Sequence, residues 1–226
     1  MKGTTVQRGR VVRHHAAGPR LGTRGRPEES RASILRAAVA EFAENGIAGA
    51  RTDAIARAAR VNKALLYYYF KDKDALYEAV LDHVFSGLRA RVMPVLDSQL
   101  PPRQKMLEYL GTYFDYIAAN PRFPRVVQGE WVRSGAGAVR MQRIAKEYFR
   151  PIFEKLVGVL QEGIRAGEFR PVNPMDFVPS VAAVIVFYFT AAPLMKTLMK
   201  VDPLSEKRIR ERRAFVLDFI STALFV

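Results

Sequence analysis

Apolar residues recur along most of the chain at the spacing of an α-helix, and this periodicity constrains the fold more than any other feature. In the first such segment the positions i, i+3, i+4 and i+7 are occupied by Leu35, Ala38, Val39 and Phe42. Pro and Gly residues separate one periodic segment from the next. No stretch alternates polar and apolar residues well enough to predict a strand, so the sequence predicts an all-α fold.

Start and stop signals divide the chain into a series of helices. The first is expected to begin at Pro27, a residue tolerated in a first turn, and to be stopped by Asn45-Gly46. Pro151 is expected to kink or split the helix in which it lies. Further helices are predicted, in order, from Thr52, over 63–70, from about 73, and over 102–120, 121–133, 139–165, 177–195 and 205–224.

Half of the excess positive charge lies in the first 26 residues. The chain has 36 Lys and Arg against 22 Asp and Glu, a formal charge of +14, and seven of the basic residues but no acid lie in residues 1–26. This composition predicts a basic arm, whose Arg20, Arg24 and Arg26 are placed to reach DNA. An inert tail, an organelle transit peptide and an overlong start are the alternatives.

Groups that perform catalysis or bind metal are scarce. The chain has no cysteine, which excludes disulfides, thiolate ligands and cysteine nucleophiles. Its histidines are His14 and His15 in the arm and His83, and none belongs to a carboxylate cluster with metal-ligand spacing. Ser134-Gly135 lacks the strand and helix that flank a phosphate loop or a nucleophile elbow. We therefore expect no catalytic residues, no metal site and no cofactor.

Residues 52–70 have the spacing of two short helices joined by a tight turn. Their inward positions are apolar and their second helix presents a polar and aromatic face, which is typical of a helix-turn-helix. The surrounding residues 27–80 carry eight basic and eight acidic side chains. A DNA surface there must come from the arrangement of side chains and not from net charge.

This segment resembles the TetR family of transcriptional repressors. The residues that carry the resemblance are Phe42, Gly46, Thr52, Ile55-Ala56, Val61-Asn62-Lys63, Leu66-Tyr67-Tyr68-Tyr69-Phe70, Lys73, Leu76 and Val80. The match is close over residues 30–80 and extends beyond them only as a general helical layout. It implies a homodimer that binds a palindromic double-stranded DNA operator and releases it when a small molecule enters the C-terminal domain.

The resemblance also implies which residues contact DNA. It places at the major groove Asn62, Lys63, Ala64, Leu65, Tyr67 and Tyr68, and at the phosphates Thr52, Tyr69 and Lys73. Lys63 can donate to guanine, Asn62 can pair with adenine or a phosphate, and Leu65 can contact the methyl group of thymine. Three consecutive tyrosines cannot all face inward, because successive helical residues turn by about 100°.

Two residues depart from the family pattern. Position 60 is commonly Gly in this family because the turn favours a positive φ, and here it is Arg60. Leu65 occupies a position that is often Thr or Ser, so one polar contact is missing. Neither departure breaks the motif, although both leave the operator sequence open.

The C-terminal helices supply apolar walls for a ligand pocket. We select as candidate ligand contacts Tyr109, Tyr113, Phe114, Trp131, Tyr148 and Phe187, although an aromatic stripe at helical spacing is more often core packing. The nearest charged candidates are Glu130, which would suit a cationic ligand, and Arg133, which would suit an anionic one. Both are expected on a solvated face. The identity of the ligand is not predicted.

The stretch from Phe177 to Met195 contains 19 residues without a charge, a length that meets the threshold for a membrane span. Pro179 and Pro193 and the amphipathic helix that follows favour a subunit interface instead. We predict a homodimer formed through the last two long helices, with no membrane span and a cytoplasmic location.

The sequence thus predicts a regulator in three parts. Residues 1–26 are the basic arm, residues 27–75 the helix-turn-helix DNA-binding domain, and residues 76–226 a helical domain for ligand binding and dimerisation. The rival hypothesis is a basic protein that binds nucleic acid or membrane surfaces through charge alone. It predicts little preference among DNA sequences, whereas the repressor hypothesis predicts a palindromic site.

Overall fold

A computed structural model describes the backbone of residues 27–131 and 136–226 and the side chains of residues 27–130 and 138–226. The basic arm and Arg133 therefore lie outside the described residues. In this part of the chain the regular structure is helical: α1 Pro27–Gly49, α2 Thr52–Ala58, α3 Lys63–Tyr69, α4 Lys73–Leu96, α5 Pro102–Ala119, α6 Phe123–Trp131, α7 Ala136–Ile144, a π-helix Ala145–Phe149, α8 Arg150–Arg165, α9 Pro174–Thr190, α10 Ala192–Met199 and α11 Glu206–Leu224. The predicted all-α fold is confirmed.

The turn between α2 and α3 closes through backbone hydrogen bonds. The amide of Val61 donates to the carbonyl of Ala56 at 3.0 Å, and that of Arg60 donates to Arg57 at 3.1 Å. In this pattern the residue that follows the C-cap adopts a left-handed backbone conformation. Ala59 is the C-cap of α2, and Arg60, which follows it, has a φ of 58°. The conformation that usually favours Gly is thus adopted by an arginine.

We expect Arg60→Gly to stabilise the domain by about 0.5–1 kcal/mol, because Gly adopts a positive φ without the steric cost of a Cβ atom. The measurement is urea unfolding of the purified protein. As a control, Arg57→Gly in the last turn of α2 should destabilise it by about 1 kcal/mol, since that backbone is helical. An equal loss of stability in both variants would contradict the proposed relief of strain.

The helix α4 runs through two hydrophobic cores. Its first half, up to Phe85, packs with α1, α2, α3 and residues of α6, whereas from Leu88 onwards it packs with α5, α8, α9 and α11. Only residues 70–72 separate its N-terminus from the end of α3. The boundary at residues 75–76 stays an interpretation, since α4 is continuous across it.

The helix predicted over 139–165 is divided by a π-helical turn. Residues Ala145–Phe149 form this turn, and α8 starts immediately after it with Pro151 in its first turn. Proline has no amide hydrogen to donate, so it is tolerated at the start of a helix and not in its interior. The predicted kink or split at Pro151 is confirmed.

The apolar stretch of residues 177–195 forms two helices and not one. Helix α9 ends at Thr190, α10 begins at Ala192, and their axes are bent by 62° at the break. Within the described ranges, no single helix is long and apolar enough to cross a membrane, and only this bent pair together reaches the required length and hydropathy.

Candidate functional site

The helix α3 exposes one face to solvent and buries the other. Leu66 is fully buried in the first core, whereas Lys63, Ala64, Tyr67 and Tyr68 are exposed. Tyr68 is the most exposed of the three tyrosines at 80%. Tyr69 packs partly against the core, with its ring 5.3 Å from that of Tyr68. The consecutive tyrosines therefore divide between solvent and core, as helical geometry requires.

The start of α3 is fixed by Asn62. Its side-chain oxygen accepts a hydrogen bond from the backbone amide of Leu65 at 2.7 Å, which is the geometry of a helix N-cap. The side-chain oxygen predicted to meet DNA thus already holds the helix. Leu65 is itself half-buried. The DNA roles predicted for these two residues remain predictions.

Two polar contacts join α3 to α2. The ammonium of Lys63 lies 2.9 Å from a carboxylate oxygen of Asp53, and the hydroxyl of Tyr67 lies 3.1 Å from that of Thr52. The hydrogen bond from Lys63 lowers the pKa of Asp53, and the same bond raises the pKa of Lys63. Lys63 is therefore charged at neutral pH, and a phosphate or a guanine would compete with Asp53 for it.

Lys73 binds backbone carbonyls at the end of α1. Its ammonium donates to the carbonyl of Ala48 at 3.2 Å and to that of Ala50 at 3.3 Å. One of its three hydrogens is left for another acceptor. Sequence reasoning predicted a phosphate contact here and did not find this structural role, which depends on residues 23 and 25 positions earlier in the chain.

Exposed cations flank the face of α3. Arg57 and Arg60 lie at the end of α2 and in the turn, and Lys71 follows α3. The sequence analysis noted Arg60 as a departure from the usual Gly and did not name Arg57 or Lys71. The positions of Arg57 and Lys71 could have predicted this, because a basic residue on the outer side of a short helix or directly after it is placed to meet the DNA backbone.

Three cavities meet at Ala182 of α9. The inner two have volumes of about 270 Å³ and about 70 Å³ and share Leu88, Tyr113 and Phe149 as walls. The third, of about 420 Å³, lies between α6 and α9 and contains Phe187. No charged side chain of the described residues lines any of these three cavities.

The predicted ligand contacts separate into several groups. Tyr109 and Tyr113 line the 270 Å³ cavity, and Phe187 is 67% exposed at the outer one. Phe114 is fully buried against Phe189 and lines none of the three. Tyr148 lines none of them either, and its hydroxyl donates to Asp82 at 3.2 Å. The side chain of Trp131 lies outside the described residues.

The expectation that Glu130 lies on a solvated face is wrong. It is 1% exposed, and an oxygen of its carboxylate accepts a hydrogen bond from the guanidinium of Arg140 at 3.0 Å. The same guanidinium lies 3.3 Å from Glu78 and 3.9 Å from Asp74, both on α4. It also lies over the ring of Tyr77 at 5.4 Å. No local sequence pattern signals this pairing of separate helices.

A second arginine of α7 continues the contact with α4. Arg143 lies 2.8 Å from Asp82 and 3.0 Å from Glu147. The carboxylates of Asp74, Glu78 and Asp82 are spaced four residues apart and share one face of α4. Two arginines of α7 therefore contact α4, the helix that directly follows the helix-turn-helix.

These observations define a class of protein: a helix-turn-helix module joined by one long helix to a helical bundle with apolar cavities is a DNA-binding regulator. Comparison with known proteins agrees. Sequence models described as "Bacterial regulatory proteins, tetR family" and "Tetracyclin repressor-like, C-terminal domain" match residues 34–80 and 102–220. The chain belongs to the TetR family of transcriptional regulators, which confirms the family predicted from the sequence.

Similar proteins include two named transcriptional repressors. NicS of Pseudomonas putida is 27% identical, with 86% of this chain and 90% of NicS aligned. SCO4008 of Streptomyces coelicolor is 30% identical, with 76% of this chain and 84% of that protein aligned. The crystal structure of HlyIIR, a hemolysin II transcriptional regulator, superposes with a TM-score of 0.64 at 25% identity, and the match covers 88% of this chain and 99% of that chain.

Proposed function

We propose that this protein is a cytoplasmic, homodimeric repressor that binds a palindromic operator and is released from it by a small molecule. The role is regulatory and not enzymatic. Helix α3 enters the major groove with Lys63, Ala64, Leu65, Tyr67 and Tyr68, while Thr52, Tyr69 and Lys73 lie near phosphates and Asn62 caps the helix. The observation that carries this proposal is the exposed face of α3.

A dimer is needed because one recognition helix reads only a half-site. Two such helices about 34 Å apart enter successive major grooves. The surface that supports dimerisation lies on α9 and α11, where Phe187, Phe215 and Phe219 are 67%, 52% and 51% exposed. The rings of Phe215 and Phe219 stack with centroids 5.8 Å apart. An apolar surface of this kind fits a partner subunit with the same helices.

We infer that the cavities act on α3 through α4. Phe149 lines both inner cavities, and its ring lies 5.1 Å from that of Phe85 on α4. It belongs to the π-helical turn, a geometry frequent at functional sites. A ligand that displaces Phe149 would shift α4 and with it the separation of the two recognition helices.

The test is selection of random duplex DNA by the purified protein at about 150 mM salt, followed by sequencing of the bound pool. We expect a palindromic motif, since the two half-sites mirror the symmetry of the dimer. Tyr67→Ala should weaken binding to the selected site by about tenfold or more, because it removes a side chain from the exposed face of α3.

The matched control is Tyr188→Phe, which changes a tyrosine buried in the second core far along the chain from α3. It should leave the selected motif unchanged. A pool without any motif, bound equally by the Tyr67→Ala variant, would contradict the assignment of α3 and favour binding through charge alone.

A further inference from the structure

Among the described residues, the inner cavities are lined by apolar and tyrosine side chains and by no charged ones. The walls of the 270 Å³ cavity are aliphatic and aromatic, and its polar groups are the hydroxyls of Tyr109 and Tyr113. These two side chains are only 5% and 7% exposed. Burial raises the pKa of both tyrosines above the ordinary value, so neither hydroxyl ionises at neutral pH.

Neither of these hydroxyls has a hydrogen-bond partner among the side chains and backbone that the structure describes. The other tyrosine at these cavities behaves differently. Tyr116 lines the 70 Å³ cavity, and its hydroxyl donates to the carbonyl of Val84 at 2.6 Å. Because no described protein group bonds to them, the hydroxyls of Tyr109 and Tyr113 are free to bond to a polar atom that a bound molecule supplies.

We propose that the cavity between Tyr109 and Tyr113 binds an uncharged, mainly apolar molecule that carries a hydrogen-bonding oxygen, such as a ketone, an alcohol or an ester. This inference rests on the proposed function and names the chemical class of its effector. The ring centroids of the two tyrosines lie 6.1 Å apart, and both side chains line this cavity.

The same walls exclude charged ligands. A carboxylate or an ammonium would lose its hydration and gain no opposite charge in the cavity. Charged side chains surround a separate groove between α1 and α10 instead, among them Glu44, Arg125 and Lys196. Ala182 lines all three cavities, so a larger side chain at this position would reduce the space for a ligand.

The probe is Prodan, a neutral fluorescent naphthyl ketone whose emission moves to the blue in apolar surroundings. Its binding is titrated with the full chain, alongside an analogue that carries a carboxylate on its alkyl group. The variants are Tyr109→Phe with Tyr113→Phe, which removes only the two hydroxyls, and Ala182→Phe, which fills the junction. The matched control is Tyr188→Phe, which lines none of the three cavities and whose hydroxyl is bonded to the backbone carbonyl of Pro203.

We expect Prodan to bind saturably with blue-shifted emission and the carboxylate analogue to bind at least about tenfold more weakly. The double tyrosine variant should lose about 3–10-fold in affinity for Prodan, the usual effect of a lost neutral hydrogen bond. Tyr188→Phe should bind Prodan as the unsubstituted protein does. Ala182→Phe should abolish saturable binding.

The proposal is overturned if Prodan does not bind, if the carboxylate analogue binds as tightly, or if the double tyrosine variant binds Prodan with unchanged affinity. Equal binding by Ala182→Phe would place the dye elsewhere and overturn it as well. Retention of the selected operator is measured on the same preparations. Normal operator binding with a negative dye result refutes this inference alone, whereas loss of both refutes the proposed function.

Discussion

Replacing Phe215 and Phe219 together by Asp should convert the protein into a monomer and weaken binding to its palindromic operator by about 10²–10⁴-fold. The loss is this large because the second half-site is bound at a high effective concentration only while two subunits are joined. The substitutions place two carboxylates in an apolar interface, where burial would cost them their hydration. Sedimentation measures the dimer, and fluorescence anisotropy measures operator affinity.

Val139→Asp is the matched control for these substitutions. Val139 is 69% exposed on α7, away from α9 and α11, and the change introduces one carboxylate of the same kind. This variant should remain a dimer and bind the operator normally. If instead the phenylalanine variant sediments as a dimer, the interface lies elsewhere and the proposed role of α9 and α11 is wrong.

The second large effect is expected from Arg140→Met, which should lower the free energy of unfolding by about 3–5 kcal/mol. Methionine keeps much of the length of the side chain and removes its charge. The buried carboxylate of Glu130 then loses the guanidinium that contacts it at 3.0 Å, and Glu78 loses its contact at 3.3 Å. Urea unfolding followed by circular dichroism provides the measurement.

Two further variants distinguish the cost of leaving a buried charge without its partner from the cost of losing an exposed ion pair. Arg150→Met removes an exposed pair with Glu154, in which the side chains are 70% and 65% exposed, and should cost less than about 1 kcal/mol. Combining Arg140→Met with Glu130→Gln should recover part of the stability, because the buried charge is removed as well. Equal costs for Arg140→Met and Arg150→Met would show that burial is not the cause.

The segment formed by α7 and the π-helical turn contacts α4 in two ways, through ion pairs and through packing of aromatic rings. Arg140 and Arg143 hold its acidic face, while Phe149 packs against its apolar face through Phe85. Both contacts come from neighbouring turns of one helical segment. A displacement in the π-helical turn would therefore reach α4 as a change in charge pairing and in packing together.

Local sequence signals predicted much of the helix-turn-helix. Helical periodicity and the residues of the turn act over a few residues, so the positions of α2 and α3 were predictable, whereas the N-cap at Asn62 was found only in the structure. Arg60 shows the same rule, since the family pattern of Gly at this turn led us to expect the positive φ that Arg60 adopts. The family and its regulatory function followed from this one segment.

Contacts between distant segments were not predictable in the same way. Lys73 was expected at a phosphate, yet it holds carbonyls at the end of α1, and the roles of Tyr69 and Tyr148 depend on what packs beside them. The break of the apolar stretch at Ala191 also escaped prediction. Hydropathy gives the length of an apolar segment but not the direction in which the next helix packs.

The sequence by itself determined the helical class, the DNA-binding motif and the family, because periodicity, caps and turn residues act locally. The tertiary structure alone decided that Glu130 is buried against Arg140 and that Tyr109 and Tyr113 share a cavity with Ala182. The reason is physical. Burial, the loss of hydration and the pairing of charges depend on which distant segments meet in space, and no local pattern records that.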